Sequence, residues 1–108
     1  MKEYFILYGT KDNDTFYISN TNPVIWTSDI KESKLYHLRY TAEFEVLRDY
    51  DNYRSIISLI NNKKLDCLYV SQIQIEINDD NSKEYVEKGR VKILWKSIFT
   101  LRLSKKKL

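Results

Sequence analysis

The sequence predicts an α+β fold, with an antiparallel sheet of about four to five strands and one long or two short helices packed on one face. Three observations support this prediction. A chain of 108 residues has the usual size of one domain, so we expect residues 1–108 to fold as a single unit. Apolar residues alternate with polar ones over 67–77, which is the period of a half-buried strand. Over 42–60 they recur every three or four positions, which is the period of a core-facing helix.

A β-hairpin is predicted at the start of the chain. Residues 4–8 and 15–19 are rich in aromatic and β-branched side chains, and the Asn and Asp residues between them favour a turn. A second turn at 20–23 leads into a brief extended segment over 24–26.

Two short elements are expected next. Residues 29–33 are predicted to form a helical turn capped by Thr27 or Ser28, because hydroxyl side chains accept hydrogen bonds from exposed helical N–H groups. Residues 35–38 are a candidate third strand.

The main helix is predicted to begin with Thr41 as its N-cap, with Glu43 and Glu45 in the first turn. Residues 49–52 favour a break, so one long helix and two shorter ones both remain open, and Asn61 and Asn62 favour a stop. The predicted core-facing stripe consists of Ala42, Val46, Tyr50, Tyr53, Ile57 and Ile60.

Two long strands are predicted after the helical region. In the first, over 67–77, we expect Ile73, Ile75 and Ile77 to face the helices and the residues between them to face water. The second is predicted over 91–103, where apolar residues again alternate, although their spacing also fits a helix.

The sequence contains no pattern typical of a catalytic, metal or cofactor site. His37 is the only histidine and Cys67 the only cysteine, so no disulfide within the chain and no Cys-based zinc site can form. Cys67 lies in a strand pattern and is predicted to be buried. Two isolated glycines cannot make a phosphate-binding loop. We therefore expect no enzyme, no cofactor and no small-molecule substrate.

Two features of the composition point to macromolecular binding instead. The aromatic residues number 15 of 108, and tyrosine-rich surfaces suit protein recognition, so the expected partner is another protein or a second copy of the chain. Basic residues are concentrated at the C-terminus, where 104–108 is predicted to be a frayed tail. The alternative is therefore a nucleic-acid-binding protein that uses sheet aromatics and four basic residues, Arg102, Lys105, Lys106 and Lys107.

The expected location is the cytoplasm, with no membrane contact. No apolar run reaches the length of a signal-peptide core or a membrane span. The chain is rich in Lys, Ile, Tyr and Asn, whose codons are A/T-rich, so we expect a source among A/T-rich bacteria, their phages or mobile elements.

Three segments resemble small early proteins of phages that infect A/T-rich bacteria. The segments are FYIS at 16–19, VIWTSDI at 24–30 and TAEF at 41–44, in the order hairpin, WT-x-D-type turn and helix start. The resemblance covers roughly residues 4 to 50 and carries no catalytic residue to this chain. It implies a phage-like origin and a host-directed inhibitor, a class that includes anti-CRISPR and other counter-defence proteins. Such proteins act by occupying a surface of a host enzyme, so the expected function is non-enzymatic binding of a host protein, such as a defence nuclease.

Overall fold

The computed structural model describes residues 2–48 and 50–93. They form five strands, a 3₁₀ turn and two α-helices, which confirms the predicted α+β class. In chain order the elements are β1 (Lys2–Lys11), β2 (Asp14–Thr21), β3 (Val24–Thr27), the 3₁₀ turn (Ile30–Glu32), α1 (Arg39–Arg48), α2 (Tyr50–Asn61), β4 (Cys67–Ile77) and β5 (Lys83–Ile93).

The five strands form one antiparallel sheet with the order β3-β2-β1-β4-β5. β1 lies at the centre, where it pairs with β2 through the predicted hairpin and with β4 from the second half of the chain. Its segment 4–8 is apolar without alternation, so this central strand carries apolar side chains on both faces. The two helices connect β3, at one edge of the sheet, to β4, which lies on the far side of β1.

Both helices pack on one face of the sheet, which we call the helix face. Small and branched side chains of the helices meet aliphatic side chains of β1, β2 and β4 there, and burial of this apolar surface stabilises the fold. The buried residues of this core are Leu7, Ile18, Tyr36, Ala42, Val46, Ile56, Leu68 and Val70.

The prediction that Ile73, Ile75 and Ile77 face the helices is wrong. In β4 the helix face instead carries Leu68 and Val70, and Ile73 and Ile75 lie on the opposite face. The first half of β4 is apolar at both odd and even positions, so its pattern does not specify which side meets the helices. The pairing with β1 decides this, because cross-strand neighbours share a face.

Three predictions for the middle of the chain also need correction. Residues 35–38 form no strand, and only Tyr36 bridges to Phe5, through two backbone hydrogen bonds of 2.7 and 2.9 Å. The 3₁₀ turn is capped by Asp29, whose carboxylate accepts a hydrogen bond from the Lys31 N–H, and not by Thr27 or Ser28. α1 begins at Arg39, two positions before Thr41.

The helical region consists of two helices on either side of residue 49, the second of the two predicted alternatives. The stripe in α2 is rotated relative to the prediction, because Asn52, Ile56 and Ile57 are buried whereas Tyr53 and Ile60 are half-buried. β5 begins at Lys83, eight positions before the predicted start at 91. The remainder of the predicted 91–103 strand lies outside the described residues.

Glu45 joins α1 to β2 through a partly buried polar contact. Its carboxylate accepts hydrogen bonds from the Thr21 hydroxyl and the Lys34 ammonium group. Burial disfavours the charge on Glu45, but the hydrogen bonds from Lys34 and Thr21 outweigh burial and lower the pKa of this carboxyl below its usual value. Folding therefore favours the ionised form.

We expect Glu45→Gln to lower the free energy of unfolding by about 1–2 kcal/mol near neutral pH, because a charged acceptor is lost from two hydrogen bonds. The pKa is lower in the folded state than in the unfolded state. The stabilisation is therefore complete above the unfolded pKa of about 4.3 and is lost as the pH falls through the folded pKa. Urea denaturation at about pH 7 and about pH 3 tests this, and the difference between wild type and variant should be smaller at the lower pH.

Glu43→Gln is the matched control on the same helix. Glu43 pairs with Arg39 at 2.8 Å on the surface, so its loss should cost no more than about 0.5 kcal/mol. Equal losses in the two variants, or a Glu45→Gln effect that is unchanged at low pH, would contradict the assigned role of Glu45.

Candidate functional site

The sheet face opposite the helices carries an apolar cluster of its own. We call it the tyrosine face, because five of its nine members are tyrosines and the others are isoleucines. Within the described part of the chain, neither α1 nor α2 contributes to this cluster. Ile30 of the 3₁₀ turn packs against it from outside the sheet, and the His37 ring contacts that of Tyr4. Its members are Ile6, Tyr8 and Ile73, which are buried, and Tyr4, Tyr17, Ile30, Tyr69, Ile75 and Tyr85, which are half-buried.

Strand pairing brings three of these tyrosines into one row. Tyr17 of β2, Tyr8 of β1 and Tyr69 of β4 are cross-strand neighbours. The ring centroid of Tyr8 lies 5.8 Å from that of Tyr17, edge to face, and 5.3 Å from that of Tyr69. These distances lie in the favourable range for aromatic pairs, so the rings support one another across three strands.

A polar network joins this row to β5. The Glu87 carboxylate accepts hydrogen bonds from the Tyr8 hydroxyl at 2.8 Å and from the fully buried Ser71 hydroxyl at 2.6 Å. The Arg90 guanidinium donates to the Tyr8 oxygen at 3.1 Å and lies 4.3 Å from the Tyr69 ring centroid. Burial raises the pKa of Tyr8 to about 12, so this hydroxyl keeps its proton and donates to Glu87 at physiological pH.

The tyrosine face is basic. At their paired positions, β1 and β5 place Lys2, Lys83, Arg90 and Lys92 on this side of the sheet, against Glu87 alone. The carboxylate of Glu87 is already engaged by Tyr8 and Ser71. The opposite side carries Glu3 of β1, Glu76 of β4 and Glu84 of β5, together with Lys11 of β1 opposite Asp14.

Two open recesses lie on the tyrosine face. The larger, about 540 Å³, lies where Lys2 of β1 and Lys83 of β5 flank Ile75 and Tyr85. The smaller, about 270 Å³, lies between Tyr17 and Arg90 and also includes Tyr85. Tyr85 therefore contributes to both recesses and stands between them.

The residues singled out in the sequence have separate locations. The basic residues of the alternative, Arg102, Lys105, Lys106 and Lys107, lie outside the described residues. Cys67 is buried as predicted, with its sulfur 3.3 Å from the Thr10 hydroxyl oxygen. His37 is exposed before α1, and its ring centroid lies 5.4 Å from that of Tyr4. His37 therefore contacts a member of the tyrosine face, and Cys67 lies on the same side of β4 as Tyr69.

The sequence predicted a tyrosine-rich surface but did not identify its tyrosines, which are buried or half-buried in the structure. Their shared face depends on the pairing of β1 with β4, which are distant in the chain. The available signal was the alternation of Tyr4, Ile6 and Tyr8 against Phe5 and Leu7, which marks a strand with two apolar faces.

Neither a metal-binding cluster nor a membrane-spanning helix is found in the described residues. No group of three or more His, Cys, Asp or Glu side chains is clustered as a metal site requires in residues 2–48 and 50–93. No helix in the same ranges is long and apolar enough to cross a bilayer. No family model matches the chain, and no curated protein or solved structure is significantly similar to it.

Proposed function

We propose that this chain is a non-enzymatic protein-binding module and that the tyrosine face is its binding surface. The observation that carries the proposal is the composition of that face. It combines five tyrosines with isoleucines on the side of the sheet that neither α1 nor α2 covers in the described residues. Tyrosine provides a large apolar contact with a polar tip and loses little rotamer freedom on binding, which is why it is enriched at interfaces.

The arrangement of the rings favours a protein over a single-stranded nucleic acid. Base stacking needs free aromatic faces. The Tyr69 ring is covered by Arg90, and the Tyr8 ring packs against Tyr17 and Tyr69. The aliphatic surface of Ile30 and Ile75 is also better matched by apolar side chains than by nucleotides.

The charge of the face favours an acidic partner. Four basic side chains against one engaged carboxylate favour an acidic protein surface, since complementary charge steers association and disfavours wrong partners. The occupant we propose is therefore a host protein whose contact surface has an apolar centre and an acidic rim. The resemblance to phage early proteins supports a host target. The nucleases of defence systems belong to this class of target, and the chain would inhibit them by occupying their surface.

A capture experiment with two matched variants tests the proposal. The face variant is Tyr85→Ser with Arg90→Ser. The control variant carries the same two changes at Tyr40 and Arg39 in the first turn of α1, on the helix side of the sheet, where Tyr40 is 70% exposed and Arg39 pairs with Glu43. Each immobilised protein is incubated with lysate of an A/T-rich bacterium, and retained proteins are identified by mass spectrometry and re-measured in pure form.

We expect an acidic protein that binds wild type and control but binds the face variant at least tenfold more weakly, with affinity falling as salt rises. Both variants must unfold cooperatively in urea, so that a binding loss is not a folding loss. The proposal would be contradicted if every captured protein bound wild type and both variants equally. It would also be contradicted if binding were lost in both variants, or if no captured protein distinguished the face variant from the control.

Two other outcomes would identify the competing classes of partner. A wild-type dimer in light scattering that dissociates in the face variant would mean that the occupant is a second copy of the chain. Tight binding of oligothymidine near physiological salt, lost in the face variant, would mean that the face binds nucleic acid, as in the alternative based on the basic tail.

A further inference from the structure

The larger recess lies at the end of the tyrosine face where β1 begins and the β4–β5 hairpin turns. Lys2, Ile75 and Tyr85 are neighbours across β1, β4 and β5, and Ile77 and Lys83 form the next cross-strand pair. The recess of about 540 Å³ therefore has an apolar and aromatic floor between two lysines. Its volume is in the range of pockets that hold a small ligand or a few side chains.

No described acidic residue neutralises the charge in this recess. No carboxylate lines it, and neither Lys2 nor Lys83 makes an ion pair with another described residue. The nearest acidic position on this face is Glu87, one row further along β5, and its carboxylate is held by Tyr8 and Ser71.

The recess also exposes aliphatic surface. Two aliphatic residues of its lining are exposed, Ile77 at 69% and Leu35 at 36%. Exposed aliphatic side chains that converge between two cations match a ligand with both apolar and acidic groups. Nucleic acid offers the charge but no aliphatic side chain to fill the floor.

We propose that this recess binds an acidic peptide segment of the partner, with one large apolar side chain over Ile75 and Ile77 and flanking carboxylates paired with Lys2 and Lys83. This inference rests on the proposed function, because it assigns the anchor point of the same face. The whole face does not indicate which part of the partner is recognised. The recess assigns this role to a linear segment that carries both acidic and apolar side chains.

A fluorescein-labelled peptide with one central leucine and two glutamates on each side is the probe, measured by fluorescence anisotropy. Lys2→Glu with Lys83→Glu should weaken binding at least tenfold, and Ile77→Ser should weaken it about threefold to tenfold. The matched controls are Lys31→Glu with Lys64→Glu, which are exposed lysines outside the recess, and Ile25→Ser on β3, where Ile25 is 48% exposed. The controls should bind as wild type does.

Three results would overturn the inference. They are no binding of the peptide, equal binding by recess and control variants, and equal binding of a peptide with serine in place of leucine, since the last would reflect charge attraction alone. Tighter binding of oligothymidine than of the peptide would assign the recess to nucleic acid instead. A partner captured through Tyr85 and Arg90 that still binds the Lys2→Glu, Lys83→Glu variant would refute the inference and leave the proposed function standing. Absence of any such partner would refute the proposed function itself.

Discussion

Val70→Asp should abolish cooperative folding. Val70 is only 2% exposed and lies in the core between the sheet and the two helices. An unpaired carboxylate there costs several kcal/mol, against a total stability of roughly 5–15 kcal/mol for a domain of this kind. We expect a purified variant without a urea transition and without a near-ultraviolet circular dichroism signal.

Val91→Asp is the matched control, because Val91 is the cross-strand partner of Val70 on the same face of the sheet and is 43% exposed. It should remain folded and lose no more than about 1 kcal/mol. Ile75→Asp tests the other side of the sheet. Ile75 is half-buried on the tyrosine face, so this variant should also fold, with reduced partner binding. If Ile75→Asp unfolds and Val70→Asp does not, the assignment of the two faces is reversed.

Gly9→Val should destabilise the protein by about 1–3 kcal/mol through overpacking. A Cβ atom at Gly9 would lie 3.1 Å from both terminal methyl carbons of Leu65, and the two further methyl groups of valine would extend into the same buried space. Thermal and urea denaturation measure the loss. Because Gly9 does not have positive φ, the expected effect is a steric one and not backbone strain.

Gly89→Val isolates that steric effect. Gly89 lies in β5, and a Cβ atom there meets no atom within 4 Å. Since valine favours strands and glycine weakens them, we expect a neutral change or a gain of about 0.5–1 kcal/mol. Similar losses at both positions would show that the close approach of Leu65 to Gly9 is not the cause.

The periodicity of the chain was enough to predict the class of the fold and most of its elements. β4 follows a period of two and occupies the predicted range, and the helical spacing after 41 gives two helices. Residues 35–38 have strand-like composition but make only the Tyr36 bridge to Phe5, in the part of β1 beyond its pairing with β2. Local preference does not specify how many pairing partners a strand finds.

The candidate site was harder to predict than the fold for the same reason. Alternation places Ile73 and Ile75 on one side of β4 but does not determine which side the helices cover. The network of Tyr8, Glu87 and Arg90 spans almost the whole described chain, so no local motif contains it. Aromatic content predicted that a tyrosine-rich surface exists, and only the strand order shows which tyrosines form it.

The central position of β1 also has a consequence for the order in which the protein is made. β1 leaves the ribosome before β4, yet Tyr4 pairs with Ile73 and Lys2 with Ile75. Until β4 has been synthesised, β1 therefore has one unpaired edge and apolar side chains on both faces. Pairing across so long a stretch of chain is slow, in the range of milliseconds to seconds for sheet-dominated domains. The nascent chain thus passes through an interval in which its most apolar strand is open to mispairing or to a chaperone.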